Sequence, residues 1–457
     1  MNYDEFIKTK LVKHKPSGFQ CNNLPDILFD FQHDIVKWAV WLGKAAIFTS
    51  TGSGKTIMLL TYAQKVYEKT NKNCIIVSPL GVSLQTIQEA KDKLNLKVNW
   101  LKHNPMQKGL NIINYESLHR IDPDDYDCVV LDESSILKSY SGKIRNQIID
   151  MFSNYSYKLC TTATPSPNDY VELGNHSEFL DVMKRKEMLA MFFIHDGGET
   201  SKWRLKKHGE AKFWEWLASW GVIMNNPLEL GYKKDLSLPE LKIKDVIVDS
   251  SYKFEDGFFS VPARSLQERR IARKETLSEK VEILAEKINN SNDIHLVWCD
   301  LNIESEMAKK AINNAVEIKG SDKEDHKEKA IQNFVQGKIK CLVTKASMFG
   351  FGLNLQICHN MHFLGMSDSF ETYYQAMRRC WRFGQKNQVN VYRYISNLET
   401  AVLKNIQEKE ERHNELVAKL QENTRLYLRE NLQHRNLIKK TYKPDQIVKL
   451  PEWLKGV

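Results

Sequence analysis

The chain has 457 residues, 42% hydrophobic and 27% charged, the balance of a folded soluble protein with two or three domains. Its N-terminal MNYDEFIKTKLVKHK lacks the apolar segment of a secretory signal, and no later stretch has the unbroken apolar length of a membrane span. These features argue against secreted and membrane classes and lead us to expect a cytoplasmic protein with no membrane partner.

The net charge of +9 suits a polyanion without proving one. Eight cysteines without Cys-x-x-Cys spacing, several inside apolar runs such as CIIVS and CVVLD, read as reduced core thiols. Cys358, His359 and His362 lie close in sequence, but their spacing fits no zinc pattern.

Taken in chain order, short apolar runs alternate with helical-period segments over two stretches, the signature of βαβ units and parallel sheets. The first holds AAIFTS, NCIIVS, LNIINY, CVVLD and KLCTT; the second holds HLVWC, AVEIK, IKCLVT, MHFLG and VNVYRYI. Between them, over about 169–236, the strand signal fades into a Trp-rich helical pattern that reads as a helical insertion. After Glu399 apolar residues recur at helical spacing in a charged background, which predicts a long amphipathic helix followed by a basic tail. The pattern therefore predicts an α/β protein of two tandem parallel-sheet domains, 1–236 and 237–398, with a C-terminal segment over 399–457.

AAIFTS runs directly into Thr51-Gly52-Ser53-Gly54-Lys55-Thr56 and then into the helical run IMLLTYAQKVYEK. In that order of strand, Gly-rich turn and helix, glycines let the backbone wrap phosphates and the helix-start N–H groups face the anion. Lys55 is placed to neutralise the β and γ phosphates of ATP, and the Thr56 hydroxyl to meet Mg²⁺. A Gly-rich turn that merely contains Lys and Thr is the competing reading, and Thr49 stands where the full P-loop pattern has Gly.

CVVLD leads into Asp132-Glu133, two carboxylates just past the C-terminal end of a buried strand, where open α/β sheets bind ligands. Asp132 suits holding Mg²⁺ and Glu133 suits orienting and deprotonating an attacking water. An Asp-Glu pair alone is usually a solvated surface feature; its place after an apolar strand downstream of a P-loop makes it specific.

Further on the chain reads KASMFGFGLNLQ and then YYQAMRRCWRFGQ. Together with Gln32 in FDFQHDIVKW, SPLGVSLQ, INYESL, DESS and TATP, all in order, it resembles superfamily 2 helicases and, within them, the Swi/Snf-like branch with its compact phage and mobile-element forms. The resemblance spans roughly residues 28–395 and implies two RecA-like lobes closing on one ATP. Gln375, Arg379, Arg382, Gly384 and Gln385 match the family's arginine motif. It implies that Arg379 and Arg382 reach from the second lobe to the γ phosphate bound on the first, and that Gln32 reads the adenine edge. It also implies that Gly352 lies at the nucleotide site and that Thr162 and Thr164 couple hydrolysis to lobe movement. The chain departs from the pattern at Ser135, where many relatives carry His or Asp, and in a longer KASMF before Gly350.

The resemblance implies movement along DNA held by its backbone, without reading sequence. Arg378 reads as a contact to DNA phosphates. SKWRLKKHG interleaves Trp203 with Lys202, Arg204, Lys206 and Lys207, which suits either a strand grip or a solvated loop. Phe213, Trp216, Leu217 and Trp220 share one helix face and read as core. ARSLQERRIARKE reads as an exposed helix face or a duplex contact. Strand-separating or RNA helicase activity, and service as the motor subunit of a nuclease or methyltransferase complex, remain alternatives.

Overall fold

The computed structural model describes residues 15–102, 104–138, 142–166, 169–196, 199–248, 274–349, 354–367, 369–396 and 399–432, and every structural statement below concerns these. The chain begins α1 (Asp30–Leu42), β1 (Lys44–Thr49), α2 (Lys55–Thr70), β2 (Asn73–Ser78), α3 (Leu80–Leu94), β3 (Val98–Trp100), β4 (Leu110–Asn114), β5 (Tyr126–Asp132), α4 (Lys143–Met151) and β6 (Tyr157–Thr162). It continues through α5 (Leu173–Phe179), α6 (Arg185–Phe192), β7 (Phe193–Asp196), β8 (Glu199–Leu205), α7 (Glu210–Ala218) and β9 (Gly221–Met224).

Seven of these strands form one sheet in the order β3-β4-β2-β5-β6-β1-β9, with every pairing parallel. Parallel sheets are covered by helices on both faces, so their strands are apolar throughout. Accordingly β1, β2, β4 and β5 bury nearly every residue.

The interval 169–236, expected to be a helical insertion, is mixed. It carries α5, α6 and α7, but also the antiparallel ribbon β7-β8 and strand β9, which extends the sheet along β1. The four-residue apolar run GVIM is short enough to be absorbed into the neighbouring helical pattern when read as sequence; its pairing with Ala46–Thr49 is what makes it a strand. Phe213, Trp216, Leu217 and Trp220 are buried in the first lobe's core, as their helical spacing predicts.

The second lobe is built from β10 (Leu241–Val248), α8 (Leu277–Asn289), β11 (His295–Cys299), α9 (Asn302–Ala311), β12 (Val316–Ile318), α10 (Glu324–Val335), β13 (Cys341–Lys345), β14 (Asn360–Phe363), α11 (Phe370–Met377) and β15 (Val389–Ser396). Its all-parallel order is β10-β15-β14-β11-β13-β12. Strand β10 was not expected: LKIKDVIV alternates lysine with apolar residues, the composition of an edge strand, and it pairs on one side only, with β15. The fold is thus two tandem parallel-sheet α/β lobes of RecA-like type.

Helix α12 (Thr400–Leu432) leaves the second lobe and returns to the first. Val402 and Ile406 are buried in the second lobe's core, whereas Leu416, Leu420, Leu428 and Leu432 are buried in the first lobe's core. Near its end Asn431 Nδ2 donates to the Ala218 carbonyl at 2.9 Å. The basic tail beyond residue 432, and residues 263–273 of ARSLQERRIARKE, lie outside the described residues.

All eight cysteines are free thiols, seven of them buried. Cys358 Sγ donates to the Ile294 and Asn360 carbonyls, while His362 bonds to His295 and Tyr394. Cys358 and His362 are thus bonded to protein groups within the second lobe's core. Among the described residues no helix is long and apolar enough to cross a membrane.

Candidate active site

Strand β1 delivers the chain into the turn 50–54, and α2 begins at Lys55. Gly52 at φ +90° and Gly54 at φ +82° adopt the left-handed backbone that lets this turn curl. Thr49 and Ser53 hydroxyls meet at 2.7 Å, and Lys55 Nζ donates to the carbonyls of Thr49 at 2.8 Å and Ser50 at 3.1 Å. The lysine thus folds back over the loop it belongs to.

Gln32 braces the same turn from α1. Its Nε2 donates to the Ser53 carbonyl at 2.7 Å, and its Oε1 accepts from the Phe29 N–H at 2.9 Å. This amide, expected to read an adenine edge, thus stands beside the phosphate loop with its Nε2 on Ser53 and its Oε1 on Phe29.

Strand β5 ends at Asp132, and Glu133 turns away at φ +53°. Asp132 Oδ1 accepts from the Glu133 N–H at 3.1 Å and from Thr161 Oγ1 at 3.0 Å; Tyr115 O–H donates to the Asp132 carbonyl at 2.7 Å. Thr162, at the end of β6, donates to Glu133 Oε2 at 3.4 Å and accepts from the Thr164 N–H at 3.1 Å. The TATP segment is therefore wired directly to the acidic pair.

From the second lobe come the arginines that follow α11. Arg379 donates through Nε to the Gln375 carbonyl at 3.0 Å and through Nη2 to Gln375 Oε1 at 2.9 Å, so Gln375 positions that guanidinium. Arg378 crosses to the first lobe and donates to Thr51 Oγ1 at 2.6 Å. Phe383 lies against Gly52, where a Cβ would sit 2.8 Å from Phe383 Cβ and 2.9 Å from its backbone nitrogen. Lys234 sits over the Phe383 ring at 5.1 Å and the Phe29 ring at 4.4 Å. An ion pair between Lys138 and Glu371 spans the lobes beside this cluster.

The electrostatics record this convergence. Burial pushes the Lys55 ammonium down to about 8 against the pull of Glu133 and Asp132, and Arg378 and Arg382 push the same way as burial. Burial, and next the Glu133 charge, push the Asp132 carboxyl up to about 7, opposed by Thr161, Lys55 and the Glu133 N–H. Burial lowers Arg379 to about 10, with Glu133 opposing and Arg382 and Arg378 adding to it. Arg382 is likewise lowered by burial, and Glu89 on α3 opposes the shift. Cations from both lobes and two carboxylates thus share one poorly solvated cleft, and Lys55, Asp132, Arg379 and Arg382 are shifted towards their neutral forms. A phosphate chain with a divalent cation is the kind of ligand that would restore their charges.

Thr56, at the second position of α2, and Asp132 carry the hard oxygen donors such a cation takes. Of the expected residues, Gln32, Thr51, Gly52, Ser53, Gly54, Lys55, Thr56, Asp132, Glu133, Gln375, Arg379 and Arg382 all fall on these elements, while Gly352 lies outside the described residues. Reading the sequence missed the Arg378 contact, the Lys138–Glu371 pair and the place of Phe383 against Gly52.

The fold and the site define the class: a P-loop ATPase of two RecA-like lobes. Residues 42–167 match the family described as type III restriction enzyme, res subunit, and residues 277–384 match the helicase conserved C-terminal domain. With one match in each lobe, the two domains support a superfamily 2 helicase or translocase, and the chain is a nucleic-acid-dependent ATPase.

Among solved structures it is similar to the Sulfolobus solfataricus SWI2/SNF2 ATPase core in complex with dsDNA, at 14% identity and TM-score 0.40, over 84% of this chain and 89% of that one. It is also similar to a fragment described as an HsdR subunit of a type I restriction enzyme from Vibrio vulnificus YJ016. There the identity is 14% and the TM-score 0.49, over 80% of this chain and 62% of that one. No match was found among curated proteins.

Proposed function

We propose that the chain couples hydrolysis of Mg²⁺-ATP to movement along duplex DNA, holding the phosphate backbone without reading sequence. The observation that carries this reading is the shared cleft: Lys55, Asp132 and Glu133 stand on one lobe, and Arg378, Arg379 and Arg382 stand on the other. Neither lobe holds a complete site, so turnover requires the lobes to meet, and repeated meeting and parting is what a translocating motor needs.

In this reading Thr56 and Asp132 hold Mg²⁺, which supplies charge neutralisation on the phosphates when bound. Lys55 and the loop N–H groups hold the triphosphate. Glu133, fixed by Thr162, orients the attacking water and takes its proton. Arg379, fixed by Gln375, and Arg382 meet the charge that develops on the γ phosphate; a finger of this kind contributes on the order of a thousandfold in rate.

Duplex DNA as the track follows from the Swi/Snf-like order of motifs and is compatible with the +9 net charge. ATP hydrolysis measured in parallel with duplex DNA, single strands and RNA tests it, together with displacement of a third strand from a triplex. Strongest stimulation by duplex, with triplex displacement, is expected; stimulation by RNA or single strands alone would overturn the assignment. Lys55→Ala and Arg379→Ala each abolish stimulated hydrolysis while leaving DNA binding largely intact. The match over residues 42–167 favours a second reading, a motor subunit for a restriction-type assembly. That reading predicts ATPase activity without DNA cleavage by this chain alone.

A further inference from the structure

Arg378 lies outside the pattern that singles out Arg379 and Arg382, and as a sequence feature it reads as a DNA-phosphate contact. Its direction in the structure is different. The side chain leaves the second lobe and enters the P-loop, where Nε donates to Thr51 Oγ1 at 2.6 Å and Nη2 to the Thr51 carbonyl at 3.4 Å. It is 4% exposed, and its guanidinium lies 4.9 Å from the Trp381 ring and 5.7 Å from the Tyr374 ring.

A guanidinium taken out of water is costly unless an anion meets it. Among the described residues no carboxylate pairs with Arg378; its contacts are a neutral threonine and two aromatic rings. It also adds to the depression of the Lys55 ammonium, so two buried cations face each other across the loop. Arg378 and Lys55 thus converge on the loop where a phosphate chain would bind.

We infer that Arg378 is a third nucleotide-binding arginine, bonded to Thr51 of the P-loop and presenting its charge to the triphosphate that the loop holds. Three arginines then serve the phosphates instead of two, and ATP affinity depends on the lobes being in contact even before hydrolysis. This rests on the ATPase reading given above.

The test measures the affinity for a slowly hydrolysed ATP analogue without DNA, and separately DNA affinity and its salt dependence, in Arg378→Gln, Arg378→Lys and Arg378→Ala. Glutamine can still bond Thr51 but carries no charge, so it separates support of the loop from recognition of the anion. With melting temperature preserved, Arg378→Gln weakens nucleotide binding tenfold or more, Arg378→Lys recovers part of it, and DNA affinity stays put. Nucleotide binding within twofold of wild type in Arg378→Gln overturns the inference. A simultaneous fall in DNA affinity, with the salt slope reduced by about one, would return the residue to the DNA backbone. Lys55→Ala serves as the separate control: if it turns over ATP like wild type, the assignment of this cleft as the ATPase site fails, whereas its inactivity beside an unaffected Arg378→Gln removes only this inference.

Discussion

Gly52 concentrates two constraints in one residue. Its φ of +90° is open to glycine and strained for any L side chain, and the space a Cβ would take is filled by Phe383 from the other lobe, backbone included. Because a backbone nitrogen cannot swing aside, Gly52→Ala must either distort the phosphate loop or push the second lobe off it. We expect ATP turnover to fall at least a hundredfold, with a stability loss of about 1–2 kcal/mol measured by denaturant titration. Wild-type turnover in this variant would show that the lobes do not meet at Gly52 during the cycle. Glu133→Gln separates chemistry from binding at the same scale: hydrolysis is abolished while nucleotide affinity persists, since the amide keeps the contact to Thr162 but cannot take a proton.

At the scale of elements, the best-read parts were those whose signal is contiguous. The strand, turn and helix around Lys55 are one unbroken stretch, and Asp132-Glu133 follows an apolar strand directly, so local physics names them. The Arg378–Thr51 bond joins residues 327 positions apart and leaves no local trace. β7-β8 and β9 were missed for a related reason: strands of four to seven residues become strands through their partners, and β9 has one only along the edge of β1. Helix α12 was legible as amphipathic, but not the fact that its apolar face is shared between two cores. His413 marks the crossing. It is buried against Phe370 and Tyr374, with Nδ1 unpartnered among the described residues, and burial, then Arg378, lowers it to about 4. An unfolded histidine takes a proton near 6.5, so the native chain holds fewer protons between about pH 6.5 and 4. This residue's stability contribution is therefore full above pH 6.5 and is lost as pH falls, at up to about 1.4 kcal/mol per unit. His413→Phe, which suits the aromatic surroundings, should flatten the decline in unfolding free energy between pH 6.5 and 4.5 by about one proton. Parallel slopes for the two proteins would refute the assignment.

On the scale of the whole molecule the question is what keeps two lobes with separate cores in register while the cleft between them works. The contacts described at the cleft are small: Arg378 on Thr51, Lys138 with Glu371, Phe383 against Gly52, and Lys234 between two rings. The half-exposed Lys138–Glu371 pair contributes little by itself, and the buried Arg378–Thr51 bond is a single neutral-acceptor contact that lobe opening can break. Helix α12 is of another kind. Its 33 residues reach about 50 Å, and it is anchored by Val402 and Ile406 at one end and by Leu416, Leu420, Leu428 and Leu432 at the other. Apolar anchors in both cores make the unfolding of either lobe costly to the other, so the ligand-free protein should melt in one cooperative transition. Leu420→Ala with Leu428→Ala removes two fully buried anchors from the first lobe, each worth about 2–5 kcal/mol, and leaves the second lobe's share of the helix intact. Calorimetry of this double variant should resolve two transitions, the lower belonging to the first lobe. DNA-stimulated hydrolysis should fall further than basal hydrolysis, because closure is no longer guided by the strap. A single transition that merely shifts downward, with both rates reduced in proportion, would mean that the cleft contacts alone hold the lobes in register and that α12 only completes a core.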